Sequence, residues 1–217
     1  PGVDNMFIEQ FNALLISGDY AGAAQIAAQS PGALIRNQET IQKFKNLPPM
    51  PNQPQPLLIY FQKLLERGRL NKLETLELCV PVLSQGKIDL VSNWVNNSKL
   101  ENCQELGDMV AKFDKHLALK IYTEGKFNNK AVQLMMEMGL SEQAMEFAGK
   151  TGTPIDMGAT LNSMIDTNPE GAIKLAKGLR EKNKDTNVHQ IADMFLRRNR
   201  IQEFTSLLFD CMRKNLP

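Results

Sequence analysis

The side chains best suited to acid–base, nucleophilic or metal chemistry are few and scattered. His116 and His189 are the only 2 histidines and stand 73 positions apart, each with a carboxylate nearby in sequence, Asp114 and Asp193. A general base acts when a nucleophile and an oxyanion site stand beside it. Neither histidine is accompanied by a Gly-x-Ser-x-Gly turn, a glycine-rich phosphate loop or a His-Glu-x-x-His helix. Both are expected to be ordinary surface or partly buried histidines. The carboxylates are spread along helical stretches, with no pair set apart in an apolar context that would raise one pKa. Cys79, Cys103 and Cys211 are far apart and in no Cys-x-x-Cys spacing, which argues against a zinc site and a disulfide framework. They are expected to be reduced, buried thiols of an intracellular protein. A thioether cluster of Met135, Met136, Met138, Met145, Met157 and Met164 could hold soft copper or form an adaptable apolar surface. Met135 and Met136, however, continue the stripe begun at Val132, and Met145 lies beside Ala144 and Phe147, so core packing is expected. No catalytic residue, cofactor-binding residue or metal ligand is assigned, and an enzyme is not expected.

Recognition is the next class of chemistry. The chain carries 25 Lys plus Arg against 24 Asp plus Glu, divided 9 against 8 in residues 1–100 and 16 against 16 in the remainder. No half is basic or acidic, which disfavours nucleic acid and anionic membrane surfaces as partners. The one basic cluster, Arg197, Arg198 and Arg200, is flanked by Asp193 and Glu203 and reads as a solvated helix end. Lys45, Pro48 and Pro51 match the basic and PxxP spacing that polyproline-binding domains read, although an extended connector accounts for them as well. Trp94, the only tryptophan, follows Leu90 and Val91 and is expected to be half-buried core. No apolar run reaches the roughly 18 residues needed to span a bilayer, so membrane insertion is not expected. The start at Pro1, without a signal-peptide pattern, suggests a piece of a longer chain.

The elements that carry these residues are helices. The stretch FNALLISGDYAGAAQIA (residues 11–27) lies without a gap over FQKLLERGRLNKLETLE from residue 61. Phe11 falls on Phe61, Leu14 and Leu15 on Leu64 and Leu65, Gly18 on Gly68, Tyr20 on Leu70, and Ile26 on Leu76. Apolar residues three and four apart, then glycine, then apolar residues again describe two amphipathic helices joined by a tight turn. Gly18 can take the left-handed conformation that ends a helix, and Asp19 can cap the next. The grammar continues at Glu124-Gly125 and Met138-Gly139, followed by Ala131 and Ala144. Val188, Ile191, Ala192 and Phe195 form one stripe, and Ile201, Phe204, Leu208 and Cys211 another. Asn168, Pro169 and Glu170 mark a helix start. About fourteen short helices and no strand are expected. Helices of roughly 10 to 14 residues are marginal alone, so each must bury its stripe on a neighbour, and a row of helix hairpins does so by stacking into an all-α solenoid. The repeated letters would be the stacking face. Those that differ, Ser17, Asp19 and Gln25 against Arg67, Arg69 and Thr75, would face water or partners. The segment Pro48–Pro56, with 5 prolines in 9 residues, is expected as a loop within one continuous segment 1–217, and Pro81 as a kink or break.

The run PLLIYFQKLLERGRLNKLETLELCVPVL (56–83), with FNALLISGDYAGAAQIAA, Trp94 and KLENCQELGDMV (99–110), resembles the clathrin heavy chain family in the linker and ankle part of its leg. The likeness extends more faintly through LALKIY to the C-terminus, and residues 124–183 depart most from the family pattern. The resemblance implies helix hairpins in a right-handed superhelix and a cytoplasmic scaffold of coated pits and coated vesicles. It also implies other clathrin heavy chains as partners in a cage, adaptor proteins as further candidates, and an isolated segment that is monomeric. Two other readings share parts of the pattern: a vacuolar tethering subunit with the same type of repeat, and a tetratricopeptide-like binding module, whose 34-residue period does not recur here.

Overall fold

Alanine-rich and leucine-rich segments, punctuated by Gly, Asn, Asp and Pro, give fourteen α-helices and no strand among the residues described by the computed structural model, 2–182 and 188–215. They fall into two units, Pro1–Gly125 and Lys126–Pro217. The first holds α1 (Gly2–Ser17), α2 (Tyr20–Gln29), α3 (Gln38–Asn46), α4 (Pro56–Arg67), α5 (Lys72–Ser84), α6 (Ile88–Asn96), α7 (Gln104–Val110) and α8 (Lys115–Glu124). The second holds α9 (Asn128–Glu137), α10 (Ser141–Thr151), α11 (Met157–Thr167), α12 (Pro169–Lys182), α13 (Val188–Leu196) and α14 (Ile201–Asn215). Within each unit the main packing partners are close in sequence: α1 on α2, α2 on α4, α5 on α6 and α7, α7 on α8, then α9 on α10 and α11 on α12. That is the stacked-hairpin arrangement of an all-α solenoid.

The punctuation works as the sequence predicts. Gly18 is left-handed at φ +81, and the Asp19 carboxylate accepts from the Gly22 amide at 2.8 Å. Asn37, Asp114, Asp156 and Asn168 cap α3, α8, α11 and α12 in the same way. Each supplies an acceptor to an amide that has no partner inside its helix. Phe11 and Phe61 are each 2% exposed, so the repeated phenylalanines are the stacking face. Phe11, Phe44, Tyr60 and Phe61 form a continuous ring contact with successive centroids 6.2, 4.7 and 5.5 Å apart. Ala23, Ala24 and Ala27 are wholly buried, and their short side chains let α2 lie close to α1 and α4. In the second unit Leu161, Met164, Ile165, Ala172, Ala176, Ile191, Phe195 and Leu207 make one core.

Four expectations change. The connector covers residues 47–55 rather than 48–56, because Pro56 is the first residue of α4, where a missing amide donor costs nothing. Helix α5 runs unbroken through Pro81. Thr75, expected to face water, is fully buried, and its hydroxyl accepts from the Glu101 amide at 3.2 Å. Arg69 is exposed, as expected, and its Nε also donates to the Leu100 carbonyl at 2.8 Å. On α14 the buried side chain is Leu207, whereas Ile201 and Leu208 are exposed; the side chains of Cys211 and Val188 lie outside those described. The second copy of the repeat also differs in its turn. Gly68 is extended rather than left-handed, and α5 begins two residues later than its superposition on α2 would place it, because Leu70 pairs with Leu100.

Candidate functional site

The residues with chemical potential are placed apart, and several of them have structural roles. His116 and His189 are exposed and belong to different units. Asp114, the carboxylate beside His116, spends its Oδ1 on the amides of His116 and Leu117 and so caps α8 rather than orienting an imidazole. Cys79 and Cys103 are free thiols, both buried. Burial first, and the neighbouring Cys103 second, push the Cys79 thiol up to about 12; burial also raises Cys103. Protonated thiols in such surroundings are poor nucleophiles. Among the methionines, Met135 and Met164 are buried in the core and Met157 is exposed. The described residues hold no cluster of three His, Cys, Asp or Glu side chains that could bind a metal. The basic cluster is neutralised: Arg198 meets Asp166 at 2.8 Å, Arg200 meets Glu203 at 3.2 Å and Arg197 lies 4.0 Å from Asp193.

The proline segment is bent. The Gln53 amide donates to the Met50 carbonyl at 3.2 Å, and Asn52 sits at φ +60. These mark a tight turn with proline at its second position and a left-handed residue at its third. The turn interrupts the extended left-handed helix that a polyproline-binding groove reads. Lys45, the basic residue of the motif, is engaged with Glu77 at 2.6 Å.

Sequence reasoning missed a buried ionic node in the first unit. Glu74, on the first turn of α5, is fully buried. The Tyr60 hydroxyl donates to its Oε1 at 3.0 Å, and Arg36 Nε donates to the same oxygen at 2.9 Å while Nη2 reaches Oε2. Asn71 completes a capping box, giving its amide to Glu74 Oε2 and taking the Glu74 amide on its own Oδ1, each at 2.9 Å. Arg36 also donates to the Arg69 carbonyl at 2.8 Å, and Asn71 Nδ2 donates to the Arg36 carbonyl at 3.0 Å. The bond to Glu74 holds the Arg36 guanidinium above its ordinary value. Burial, then the Glu74 charge, push the Tyr60 phenol far above its own, so it is a fixed donor. The signal was present as Asn-x-x-Glu at residues 71–74, a capping-box spacing. Burial of its glutamate and the partner 38 residues upstream are not local properties of the sequence.

Beside the node, backbone ties join successive hairpins. Leu70 donates to the Lys99 carbonyl at 2.8 Å and accepts from the Glu101 amide at 3.1 Å. Lys99 Nζ donates to the Leu65 carbonyl at 2.6 Å, satisfying a carbonyl in the last turn of α4. Lys72 meets Glu105 at 2.6 Å. Next to these ties lies an open cleft of about 1210 Å³, lined by Leu58, Phe61 and Leu65 of α4, Val82 of α5, and Leu90 and Trp94 of α6. Trp94 is half-buried, as its position behind Leu90 and Val91 suggests. The arrangement can hold helices in register and present apolar surface.

Comparison with known proteins agrees with the resemblance. Residues 1–64 match the clathrin heavy chain linker family, Clathrin-H-link. The chain is 38% identical over 217 residues to clathrin heavy chain 2 of Homo sapiens. It is 39% identical over 221 to the clathrin heavy chain of Dictyostelium discoideum and 38% over 218 to that of Drosophila melanogaster. Each alignment covers 100% of this chain and 13% of the relative, so the chain spans about one eighth of the length of the curated relatives it matches.

Proposed function

This chain belongs to the clathrin heavy chain family, in which it corresponds to the linker and the residues that follow it, and from that premise we propose that it is a structural scaffold segment of a coat-forming leg. Its work in this reading is mechanical: to hold a fixed spacing between the parts on either side of it while legs assemble into cages on vesicles of endocytosis and intracellular transport. Its partners are then other heavy chains of the cage, with adaptor proteins as a second class, and it acts on the cytosolic side of coated membranes without entering them. The observation that carries the reading is that the similarity runs through all 217 residues of a chain built from stacked hairpins. Asp114 caps a helix, Cys79 and Cys103 are core, and Arg198 and Arg200 are held in ion pairs. No described helix is long and apolar enough to cross a membrane, which fits attachment through other proteins. The test is fractionation of the full-length protein that carries this segment. It should co-purify with coated vesicles and re-form sedimentable cages after the coats are dissociated, and its absence from the coated fraction would overturn the proposal.

A further inference from the structure

The cleft between α4, α5 and α6 has more apolar surface open to solvent than stacking requires. Leu58 and Leu90 are 51% and 44% exposed, and both line it together with half-buried Leu65, Val82 and Trp94. Isolated exposed leucines are ordinary, whereas several converging on one concavity with an aromatic wall are the usual make-up of a recognition groove. The charges around the rim are not balanced in kind. Of its two acids, Glu66 is held by Lys63 at 2.8 Å and Glu77 by Lys45 at 2.6 Å. Of its two bases, Lys99 gives its ammonium to a neutral backbone carbonyl, and Lys87 is in none of the ion pairs among the described residues. The acids of the rim are therefore already compensated and its lysines are not.

From this charge pattern over an apolar floor we infer that the cleft docks a short acidic peptide segment of another protein, which places apolar side chains against Leu58, Leu90 and Trp94 and acidic ones toward Lys87 and Lys99. Apolar burial would supply most of the affinity, and the lysines would select against basic segments and speed encounter. The inference stands on the α4–α6 geometry and does not require the scaffold reading to hold.

Trp94, the only tryptophan in the chain, is a built-in reporter. The 217-residue chain is titrated with a synthetic ten-residue peptide of leucines and one phenylalanine set among aspartates, and separately with its counterpart carrying lysine for each aspartate. The aspartate peptide should shift Trp94 emission to the blue saturably, and the lysine peptide should not. Lys87→Glu should weaken the aspartate peptide about fivefold, the size expected when one exposed rim charge is reversed. Leu90→Ser, at an exposed position that leaves helix content unchanged by circular dichroism, should weaken it at least as much. The inference is overturned by an absent shift, by equal binding of the two peptides, or by wild-type affinity in both variants. It is equally overturned if the shift appears with rising chain concentration alone, which would put a second copy in the cleft.

Discussion

Replacing Arg36 with methionine would remove the guanidinium from the node while keeping an unbranched side chain of comparable length. The Glu74 side chain is 0% exposed and that of Arg36 only 17%, so the carboxylate would stay buried with the Tyr60 hydroxyl and the Asn71 amide as its remaining partners. Three charge-assisted hydrogen bonds disappear, two of them to the carboxylate. Removing one partner of a buried pair typically destabilises by about 3–5 kcal/mol, because the other charge is left uncompensated. Glu74→Gln should cost less, about 1–2 kcal/mol: the amide oxygen can still accept from Tyr60, and Arg36 has a route to water. The double variant Arg36→Met with Glu74→Gln should recover most of the loss seen in Arg36→Met, since no buried charge remains. The assay is urea unfolding followed by Trp94 emission, which reports on the first unit alone, with the four chains forming a double-mutant cycle. A loss below about 1 kcal/mol for Arg36→Met, or a double variant no more stable than that single one, would refute a buried charge pair as the coupling between these hairpins.

Other perturbations test other joints. Gly107→Ala would bring a methyl group within 2.2 Å of the Tyr122 ring, and should lower stability by about 1–3 kcal/mol, read as a shift of the thermal midpoint. Cys79 keeps its proton to about 12 in the folded chain against an ordinary 9.0, so the unfolded chain loses its proton first. Stability from this group is complete below pH 9 and falls as pH rises toward 12, and Cys79→Ala should flatten that fall in denaturant titrations between pH 9 and 11. Leu64→Asp, at a side chain 2% exposed, should destabilise by several kcal/mol, whereas Arg69→Asp should cost about 1 kcal/mol through its bond to Leu100, measured by urea midpoints. Deleting residues 187–217 should leave amide protection in residues 56–122 intact, and uniform loss of protection there would mean that the chain unfolds as one globule.

Helix number, caps and stacking face were legible because they are local. Phe11 and Phe61 recur at one spacing, and Gly18, Asp19 and Asn168 act through atoms within three or four residues of themselves. Thr75 was misread because its fate is decided by Glu101, which the fold brings alongside from the next hairpin. Comparing the two copies of the repeat could not reveal this, since Gln25, the counterpart of Thr75 in the first copy, is exposed. Glu74 was hidden for the same reason: acidic residues in the first turn of a helix are common on surfaces, and only the arrival of Arg36 and Tyr60 makes burial tolerable. The cleft was half visible. Trp94 and Leu90 share a helical face in the sequence, but the contribution of Leu58 depends on the fold bringing α4 to the same cleft.

Four of the ties between hairpins in the first unit have similar reach along the chain: 33 residues from Arg36 to Arg69, 31 from Arg69 to Leu100, 34 from Leu65 to Lys99 and 33 from Lys72 to Glu105. Such a spacing acts as a ruler for sequence change. Adding or removing one residue inside α4 or α5 would rotate every later side chain of that helix by about 100° and miss the next tie. The same change in the largely exposed connector 47–55 could be taken up as slack, at a loop-closure cost that grows only slowly with length. Duplication of a whole interval would leave each of these four bonds with an equivalent partner. Length variation is therefore expected in single residues within the connector and in whole intervals elsewhere.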